Sequence, residues 1–302
     1  MKKSTRESEP TCPIRLANAR RTFDIPVQTP RCRMRYATST AIAFGFLATL
    51  SLGAQSTSNA AAADRADFNS KSEAVDPSDS NSAGTSSRCP PDMQLIADAY
   101  CIDRYEASTV EVTPDGKFVA HSPFLPVEGL RVKAVSEKNV IPQAYISRNQ
   151  AQAACVESHK RLCTEREWVA ACKGPERTKY PYGNAHKSGY CVDSNRVNPL
   201  IKLFEQLGAA RYQFATMNDP GLNQVSGTLA TTGSFTRCTN DYGVYDMVGN
   251  VHEWTADPQG TFRGGFYLDT KLNGAGCEYK TVAHPATYHD YSTGFRCCSD
   301  AQ

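Results

Sequence analysis

The stretch DYGVYDMVGNVHEW, residues 241–254, places two acidic side chains on either side of a glycine turn. Asp246 and Glu253 supply hard carboxylate oxygens, and a turn at Gly249 and Asn250 can direct backbone carbonyls to the same side. Such donors suit Ca²⁺, which takes about six to eight oxygen ligands. The stretch therefore predicts a calcium-binding turn.

The same residues would be structural if no ion were bound. Asp246 would then cap a turn, and Glu253 would pair with an arginine such as Arg263 or Arg296. The sequence leaves both interpretations open.

Cysteine usage indicates an oxidising compartment. Of the twelve cysteines, Cys12 and Cys32 lie in a basic N-terminal segment, and the other ten fall between Cys89 and Cys298. A dense, even set of this kind is typical of disulfide-bonded proteins outside the cytosol. We therefore expect a periplasmic, cell-surface or secreted protein.

An export signal precedes these cysteines. Residues 41–53, AIAFGFLATLSLG, match a signal-peptide core and are shorter than the roughly 20 residues of a membrane-spanning helix. Small residues allow cleavage after Ala60 or Ala62, and a start at Met34 would give a compact signal peptide. The alternative is an uncleaved anchor, which would be the protein's link to a membrane.

Composition divides the chain into a leader (residues 1–60), a disordered linker (residues 61–88) and a folded domain (residues 89–302). The linker is rich in Ser, Ala, Asp and Asn and has almost no large apolar side chains to bury. Residues 1–36 carry a net charge of +6, so the remainder carries −4. An acidic domain is a poor nucleic-acid binder, because phosphate contacts need clustered Lys and Arg.

Two helices are well signalled in the folded domain. Ser147 and Gln150 form a capping box before AQAACVESH, and Thr164 and Glu167 form another before WVAACKG, where Gly174 supplies a stop. Elsewhere short strand candidates alternate with many Gly, Pro, Asn and Asp turns, and residues 174–240 have little regular pattern. The folded domain is therefore expected to contain both helices and short strands.

Several motifs give the domain a family resemblance. In order they are YCIDRYEAS, ISRNQAQAACVESHKRLCTEREWVAACKG, YPYGN, YGVYDMVGNVHEW, FRGGFY and STGFRCC. Together they resemble the formylglycine-generating enzyme, or sulfatase-modifying factor, family over nearly all of residues 89–302. The resemblance implies the fold class α+β, a single domain with little regular secondary structure that is related to C-type lectins.

The resemblance does not extend to the family's copper site. Active members oxidise a sulfatase cysteine with two copper-binding cysteines that follow a Gly-Gly-Ser motif. Here Phe266 takes the position of the serine, and Asp269 and Gly274 take those of the cysteines. Because Cu(I) selects thiolates, neither residue replaces the pair, and we expect no copper.

The resemblance also implies a disulfide pairing. It joins Cys155 to Cys297 or Cys298, and Cys172 to Cys277. Proximity in the sequence suggests the rest, which are Cys89 with Cys101, Cys191 with Cys238, and Cys163 with the remaining member of the Cys297 and Cys298 pair.

The resemblance assigns ligands to the calcium turn. These are the side chains of Asp246 and Glu253 and the carbonyls of Gly249 and Val251. A second calcium site would begin at Asn195, with no other ligand assigned.

His252 departs from the active enzymes, which usually carry Trp at this position beside the substrate groove. Together with Asp269 it can form a small polar site, since histidine serves as a base or ligand near neutral pH. The alternative is an exposed, tolerated polar residue. His284 and His289 are expected to be surface loop residues.

These observations predict an exported, calcium-stabilised binding or accessory domain that does not make formylglycine. Its ligand would be a protein, a peptide or a glycan. The alternative is an oxidoreductase of the same family that acts on another substrate, with His252 and Asp269 as its polar groups. Oxidation of a sulfatase cysteine is the least favoured activity.

Overall fold

The computed structural model of the chain describes residues 88–302. The predicted leader, the start at Met34 and residues 61–87 of the predicted linker lie outside the described residues. Arg88, assigned to the linker from the sequence, donates hydrogen bonds to the Asp98 side chain and to the backbone carbonyl of Gln302. Within residues 88–302, no helix is both long enough and apolar enough to cross a membrane.

Short elements joined by long turns make up the described domain. Its helices are α1 (Arg148–Glu157), α2 (Glu165–Lys173), α3 (Pro199–Phe204) and α4 (Phe214–Met217), with 3₁₀ helices at Glu205–Tyr212, Leu222–Gln224 and Gly276–Glu278. Its strands are β1 (Met93–Ile96), β2 (Tyr100–Asp103), β3 (Ser108–Val112), β4 (Phe118–Ala120), β5 (Val132–Val135), β6 (Arg161–Leu162), β7 (His252–Trp254), β8 (Phe262–Arg263), β9 (Lys280–Thr281), β10 (Thr293–Phe295) and β11 (Cys297–Asp300). The expected α+β architecture with little regular structure is confirmed, although residues 174–240 contain short helices that were not predicted.

Both predicted capping boxes are present. The Ser147 hydroxyl accepts a hydrogen bond from the Gln150 N–H, and the Gln150 side chain accepts one from the Ser147 N–H. Thr164 and Glu167 make the same reciprocal pair at the start of α2. Each cap satisfies N–H groups that a helix leaves without an internal partner, which typically contributes about 0.5–2 kcal/mol.

Three small sheets position the helices. The first has the order β1-β2-β11-β6, in which β11 is antiparallel to both β2 and β6. The second has the order β10-β7-β8-β9, in which β10 and β7 run parallel and Gly294 lies opposite Glu253. The third has the order β4-β3-β5. Strand β7 therefore carries the end of the stretch 241–254 into the second sheet.

Five disulfides cross-link the described residues. They have the expected pairing, with the open choice resolved as Cys155 to Cys297: the bridges are Cys89–Cys101, Cys155–Cys297, Cys163–Cys298, Cys172–Cys277 and Cys191–Cys238. The Cys155–Cys297 and Cys163–Cys298 bridges, here called the twin bridges, leave adjacent residues of β11. They close loops of 142 and 135 residues, which are nearly the same loop.

The core is built on large side chains from both halves of the domain. Trp168 of α2 and Trp254 of β7 are completely or almost completely buried. Trp254 packs with Phe262 and Phe295 beside the Cys155–Cys297 bridge. Trp168 packs in a second cluster with the Cys172–Cys277 bridge. The disulfides therefore supplement a core whose elements are too short to stabilise one another by strand pairing alone.

Candidate functional site

The turn in residues 246–253 is tightly folded against a neighbouring loop. Asp246, Gly249 and Asn250 all have positive φ angles, of 59°, 85° and 56°. A Cβ atom at position 249 would lie 2.3 Å from the carbonyl oxygen of Val192, so only glycine fits there. The Asn250 N–H donates to the same carbonyl at 3.0 Å, which fixes the turn against residues 191–195.

Asn250 joins the turn to Glu106, for which the sequence alone indicates no role. The Asn250 amide donates to Glu106 Oε2 at 2.6 Å, and the Val251 N–H donates to Glu106 Oε1 at 3.2 Å. The Asn250 side chain also exchanges hydrogen bonds with the backbone of Ala230. Glu106 is fully buried, so it is part of the site rather than of the surface.

Glu253 forms a buried ion pair with Arg296. The Arg296 guanidinium donates from Nε to Oε2 and from Nη2 to Oε1, each at 2.6 Å, and Trp168 Nε1 also donates to Oε2 at 2.6 Å. The remaining guanidinium hydrogen bonds go to the backbone carbonyls of Asp103 and Tyr245. This is the arginine pairing predicted for Glu253; Arg263 pairs with Glu165 instead.

Asp246 is only partly satisfied. Its Oδ2 accepts a 2.6 Å hydrogen bond from the Gly233 N–H, while its buried Oδ1 has no hydrogen-bond partner. Burial raises the pKa of Asp246 to about 7, and burial followed by the charges of Asp246 and Glu253 raises the pKa of Glu106 well above its usual range. Because three buried carboxyl groups surround the single charge of Arg296, the cluster would carry an excess of negative charge if all three were ionised, and the raised pKa values reflect this cost. We call Glu106, Asp246, Glu253 and Arg296 the carboxylate cluster.

The carboxylate cluster fits a hard cation in its donor chemistry. An unpartnered carboxylate oxygen and uncompensated buried charge are the features that an oxygen-coordinated ion would satisfy. Within residues 88–302, no group of three or more His, Cys, Asp or Glu side chains is arranged to hold a metal ion. An ion at this turn would therefore depend on the carbonyls of Gly249 and Val251. Asn195, expected to begin a second site, is exposed and has a φ of 58°.

His252 is buried rather than exposed. Its side chain lies between the rings of Phe262, Phe266 and Tyr279, at centroid distances of 4.4, 4.9 and 5.4 Å. Its buried Nδ1 has no hydrogen-bond partner. Burial lowers the pKa of His252 to about 3, so the imidazole is neutral at physiological pH. The interpretation of His252 as an exposed, tolerated residue is wrong.

Asp269 does not join His252 in a polar site. Its Oδ1 accepts from the N–H groups of Lys271 and Leu272, and its Oδ2 accepts from the Tyr279 hydroxyl at 3.0 Å. All of these hydrogen bonds hold the loop that follows Phe266. The carboxylate therefore folds this loop, while Tyr279, and not Asp269, contacts the His252 ring.

A pocket of about 450 Å³ opens beside His252. We call it the aromatic pocket, because six of its lining residues are Phe or Tyr: Tyr212, Phe214, Phe262, Phe266, Tyr288 and Tyr291. His284 also lines it and stacks on Tyr288 at 3.9 Å. His289 is buried outside the lining and is hydrogen-bonded to Asn218 at 2.7 Å, so the expectation of a surface residue is wrong there.

Comparison with known proteins places these features in a family. A family model described as "Sulfatase-modifying factor enzyme 1-like domain" matches residues 67–301. The inactive C-alpha-formylglycine-generating enzyme 2 of Bos taurus is 31% identical over 178 residues, which are 55% of this chain and 53% of that protein. The formylglycine-generating enzyme of Mus musculus is 27% identical over 215 residues, 60% of this chain and 52% of that protein. The chain thus spans about half the length of these relatives.

Among solved structures, the fold is similar to that of PvdO from Pseudomonas aeruginosa. The two chains are 15% identical, with a TM-score of 0.40, over 67% of this chain and 80% of PvdO.

Proposed function

Because the chain belongs to the family of sulfatase-modifying factor enzyme 1-like domains, we propose that it is an exported, calcium-stabilised member that binds a ligand and does not generate formylglycine. The observation that carries this proposal is the loop of residues 266–279. At the two positions where active members of the family carry copper-binding cysteines, this loop has Asp269 and Gly274.

The conformation of residues 266–279 depends on Asp269 and Gly274. Gly274 has a φ of 101°, and a Cβ atom there would lie 2.6 Å from the Glu278 carbonyl oxygen, so a cysteine would not fit without a change of backbone. Asp269 accepts three hydrogen bonds that fold the loop. Cys277, the nearest cysteine, is bonded to Cys172. The donor set therefore does not fit Cu(I), which selects thiolates.

The matching relatives include both inactive and active enzymes, and of these the two with the highest identity are named inactive. Two proteins named inactive C-alpha-formylglycine-generating enzyme 2, from Bos taurus and Mus musculus, match at 31% and 30% identity. Since the chain spans about half of each, their names support the proposal without deciding it.

Calcium would be bound by the turn of residues 246–253, whose His252 lines the aromatic pocket. Asp246 would supply its unpartnered Oδ1, and Glu253 would coordinate through Oε1 while keeping its hydrogen bonds to Arg296. Gly249 and Val251 would supply carbonyl oxygens. The ion would compensate the excess negative charge of the carboxylate cluster and give Asp246 Oδ1 a partner. Its role would be structural, because the cluster is buried.

Export is supported by the disulfides. All ten cysteines of residues 88–302 are paired, which requires an oxidising compartment in most organisms. The periplasm, the cell surface and the medium all meet that requirement.

Ligand binding is supported by the aromatic pocket. A concave site lined with aromatic side chains and a few polar groups is the usual form of a binding site for a small molecule or a side chain. His252 would act there as a polar contact rather than with Asp269, whose hydrogen bonds are used within its own loop.

The proposal is tested by incubating the full chain with copper and a peptide that contains the Cys-x-Pro-x-Arg motif. The formylglycine-generating enzyme of Thermomonospora curvata, which is 28% identical over 197 residues, serves as the positive control. Mass spectrometry should detect the aldehyde product with the control enzyme and unchanged thiol peptide with this chain. Conversion of the thiol to the aldehyde by this chain would overturn the proposal.

A further inference from the structure

The aromatic pocket contains a buried carboxylate with no cationic partner. Asp290 is 3% exposed and lines the pocket, and none of the ion pairs in residues 88–302 includes it. Lys and Arg are absent from the pocket's lining. Burial lowers the pKa of His284, so this lining histidine does not supply a positive charge at neutral pH.

The hydrogen bonds of Asp290 come from uncharged groups. Its Oδ1 accepts from the N–H and the hydroxyl of Ser292 at 2.8 and 2.7 Å, and its Oδ2 accepts from the Tyr288 hydroxyl at 2.6 Å. These contacts orient the carboxylate but leave its charge uncompensated. The pocket therefore combines a negative charge with several aromatic side chains.

This combination selects an organic cation. The face of an aromatic ring carries negative potential, so a cation within about 6 Å of ring centroids is attracted, most strongly where water is excluded. The rings of Phe262 and Phe266 pack around His252 at one side of the pocket, and Phe214 packs edge-on against Tyr288 at 6.0 Å. A neutral apolar ligand would gain contact area but would leave the charge of Asp290 unpaired.

The hydrogen-bonding capacity of the pocket distinguishes between kinds of cation. A primary ammonium group has three N–H donors and is strongly hydrated, so it needs several acceptors on burial. Asp290 already accepts three hydrogen bonds, and most of the pocket's other lining groups are aromatic. A quaternary ammonium group has no donors to satisfy and still gains the charge and cation–π attraction.

We propose that the aromatic pocket binds a quaternary ammonium group, with Asp290 as its counter-charge and Phe214 as part of its aromatic wall. This inference rests on the proposed function, in which the pocket is a ligand site, and it adds the chemical class of the ligand.

The test measures choline binding to the full chain by isothermal titration calorimetry. Choline should bind, and its neutral isostere 3,3-dimethyl-1-butanol should bind at least about tenfold more weakly, because it lacks the charge but has the same shape. Ethanolamine, which presents a primary ammonium group, should also bind more weakly than choline.

Two substitutions connect binding to the pocket. Asp290→Asn should weaken choline binding by about tenfold or more and leave the binding of the neutral isostere unchanged. Phe214→Ala should weaken choline binding several-fold, whereas Phe118→Ala should leave it unchanged. Phe214 and Phe118 are matched, being 53% and 60% exposed, and only Phe214 lines the pocket. Phe214→Ala also keeps the test decisive if Asp290→Asn does not fold.

Equal affinity for choline and its isostere would overturn the inference, as would choline binding that neither substitution changes. If ethanolamine bound more tightly than choline, the inference of a quaternary ammonium ligand would be wrong, and the pocket would instead select a primary amine through hydrogen bonds. Absence of choline binding at millimolar concentration, with the Cys-x-Pro-x-Arg peptide left unconverted, would remove the ammonium inference and leave the proposed function in place. Conversion of the peptide would instead remove the proposed function.

Discussion

The calcium proposal predicts that Asp246→Asn changes stability in opposite directions with and without calcium. Asp246 is 2% exposed, accepts one hydrogen bond from Gly233, and has a second oxygen with no partner. An asparagine can keep the Gly233 hydrogen bond while removing the buried charge. In calcium it would lose a charged ligand, but in a chelator it would lose only an unfavourable ionised group.

The magnitude without calcium follows from the pKa. Burial raises the pKa of Asp246 from 3.8 to about 7, and one pKa unit corresponds to about 1.4 kcal/mol, so ionised Asp246 destabilises the fold by on the order of 4 kcal/mol. Because the folded state holds this proton more tightly than the unfolded state, stability falls as pH rises from 3.8 through about 7. The Asp246→Asn variant should therefore be the more stable protein in chelator at pH 8, and this advantage should shrink towards zero as pH falls to about 4.

The assay is urea unfolding under non-reducing conditions at pH 8, followed by the fluorescence of Trp168 and Trp254. Each protein is measured in a calcium chelator and in millimolar calcium. In calcium the native chain should gain stability with the logarithm of the ion concentration, by about 1.4 kcal/mol per tenfold above the dissociation constant. Asp246→Asn should lose most of that gain. The control is Asp115→Asn, which removes an exposed carboxylate that pairs with Lys117. It should change stability by less than about 1 kcal/mol, and by the same amount in both buffers.

One result would refute the reasoning. If Asp246→Asn destabilised the domain equally in chelator and in calcium, Asp246 would act through its hydrogen bond to Gly233, and the turn would not be a calcium site.

Two further predictions concern the ion pair and the disulfides. Arg296→Met should reduce the free energy of unfolding in urea by about 3–5 kcal/mol, because it leaves buried carboxylates without their cation. Glu253→Gln should reduce the free energy of unfolding by less, since Arg296 keeps Glu106 and Asp246 as acidic neighbours. Equal losses for the two variants would contradict the idea that three carboxyl groups share one arginine. Breaking one of the twin bridges, with Cys155→Ala and Cys297→Ala, should cost about 3 kcal/mol rather than the roughly 5 kcal/mol of an isolated loop of its length, because the other bridge still closes nearly the same loop. Breaking both should therefore cost more than the sum of the two single losses in non-reducing urea unfolding, and simple additivity would contradict this.

Local features of the fold could be predicted from the sequence because their causes are local. The capping boxes at Ser147 and Thr164 depend on residues three positions apart, so the pattern that predicts the helix also forms its end. The turn at Gly249 is signalled in the same way, by adjacent residues that favour positive φ. The short helices after residue 198 were not predicted, because only Asn198 supplies a cap there and few apolar side chains face the core.

The site was only partly predictable because its contacts are distant in sequence. Glu106 lies 144 residues from Asn250, its hydrogen-bond partner, and Trp168 lies 85 residues from Glu253. Asp290 has neighbours that identify a turn, but nothing local indicates that the turn faces a pocket lined by Phe214 and Phe262. His252 was recognised as unusual, yet its burial depends on aromatic rings from later in the chain. Residue type therefore indicates which side chains are candidates for the site. The contacts and burial of each candidate depend on tertiary packing, which the sequence pattern does not show.

Strand β7 connects the two parts of the site while keeping their roles separate. Successive side chains of a strand point to opposite faces. Glu253 points towards Arg296 and Trp168 in the carboxylate cluster, whereas His252 and Trp254 both pack on Phe262 beside the aromatic pocket. Substitutions on the Glu253 face should therefore change stability and calcium dependence first. On the other face, a substitution of His252, which lines the pocket, should change ligand affinity, whereas Trp254→Ala should cost about 3–5 kcal/mol of stability, because Trp254 is a buried core residue.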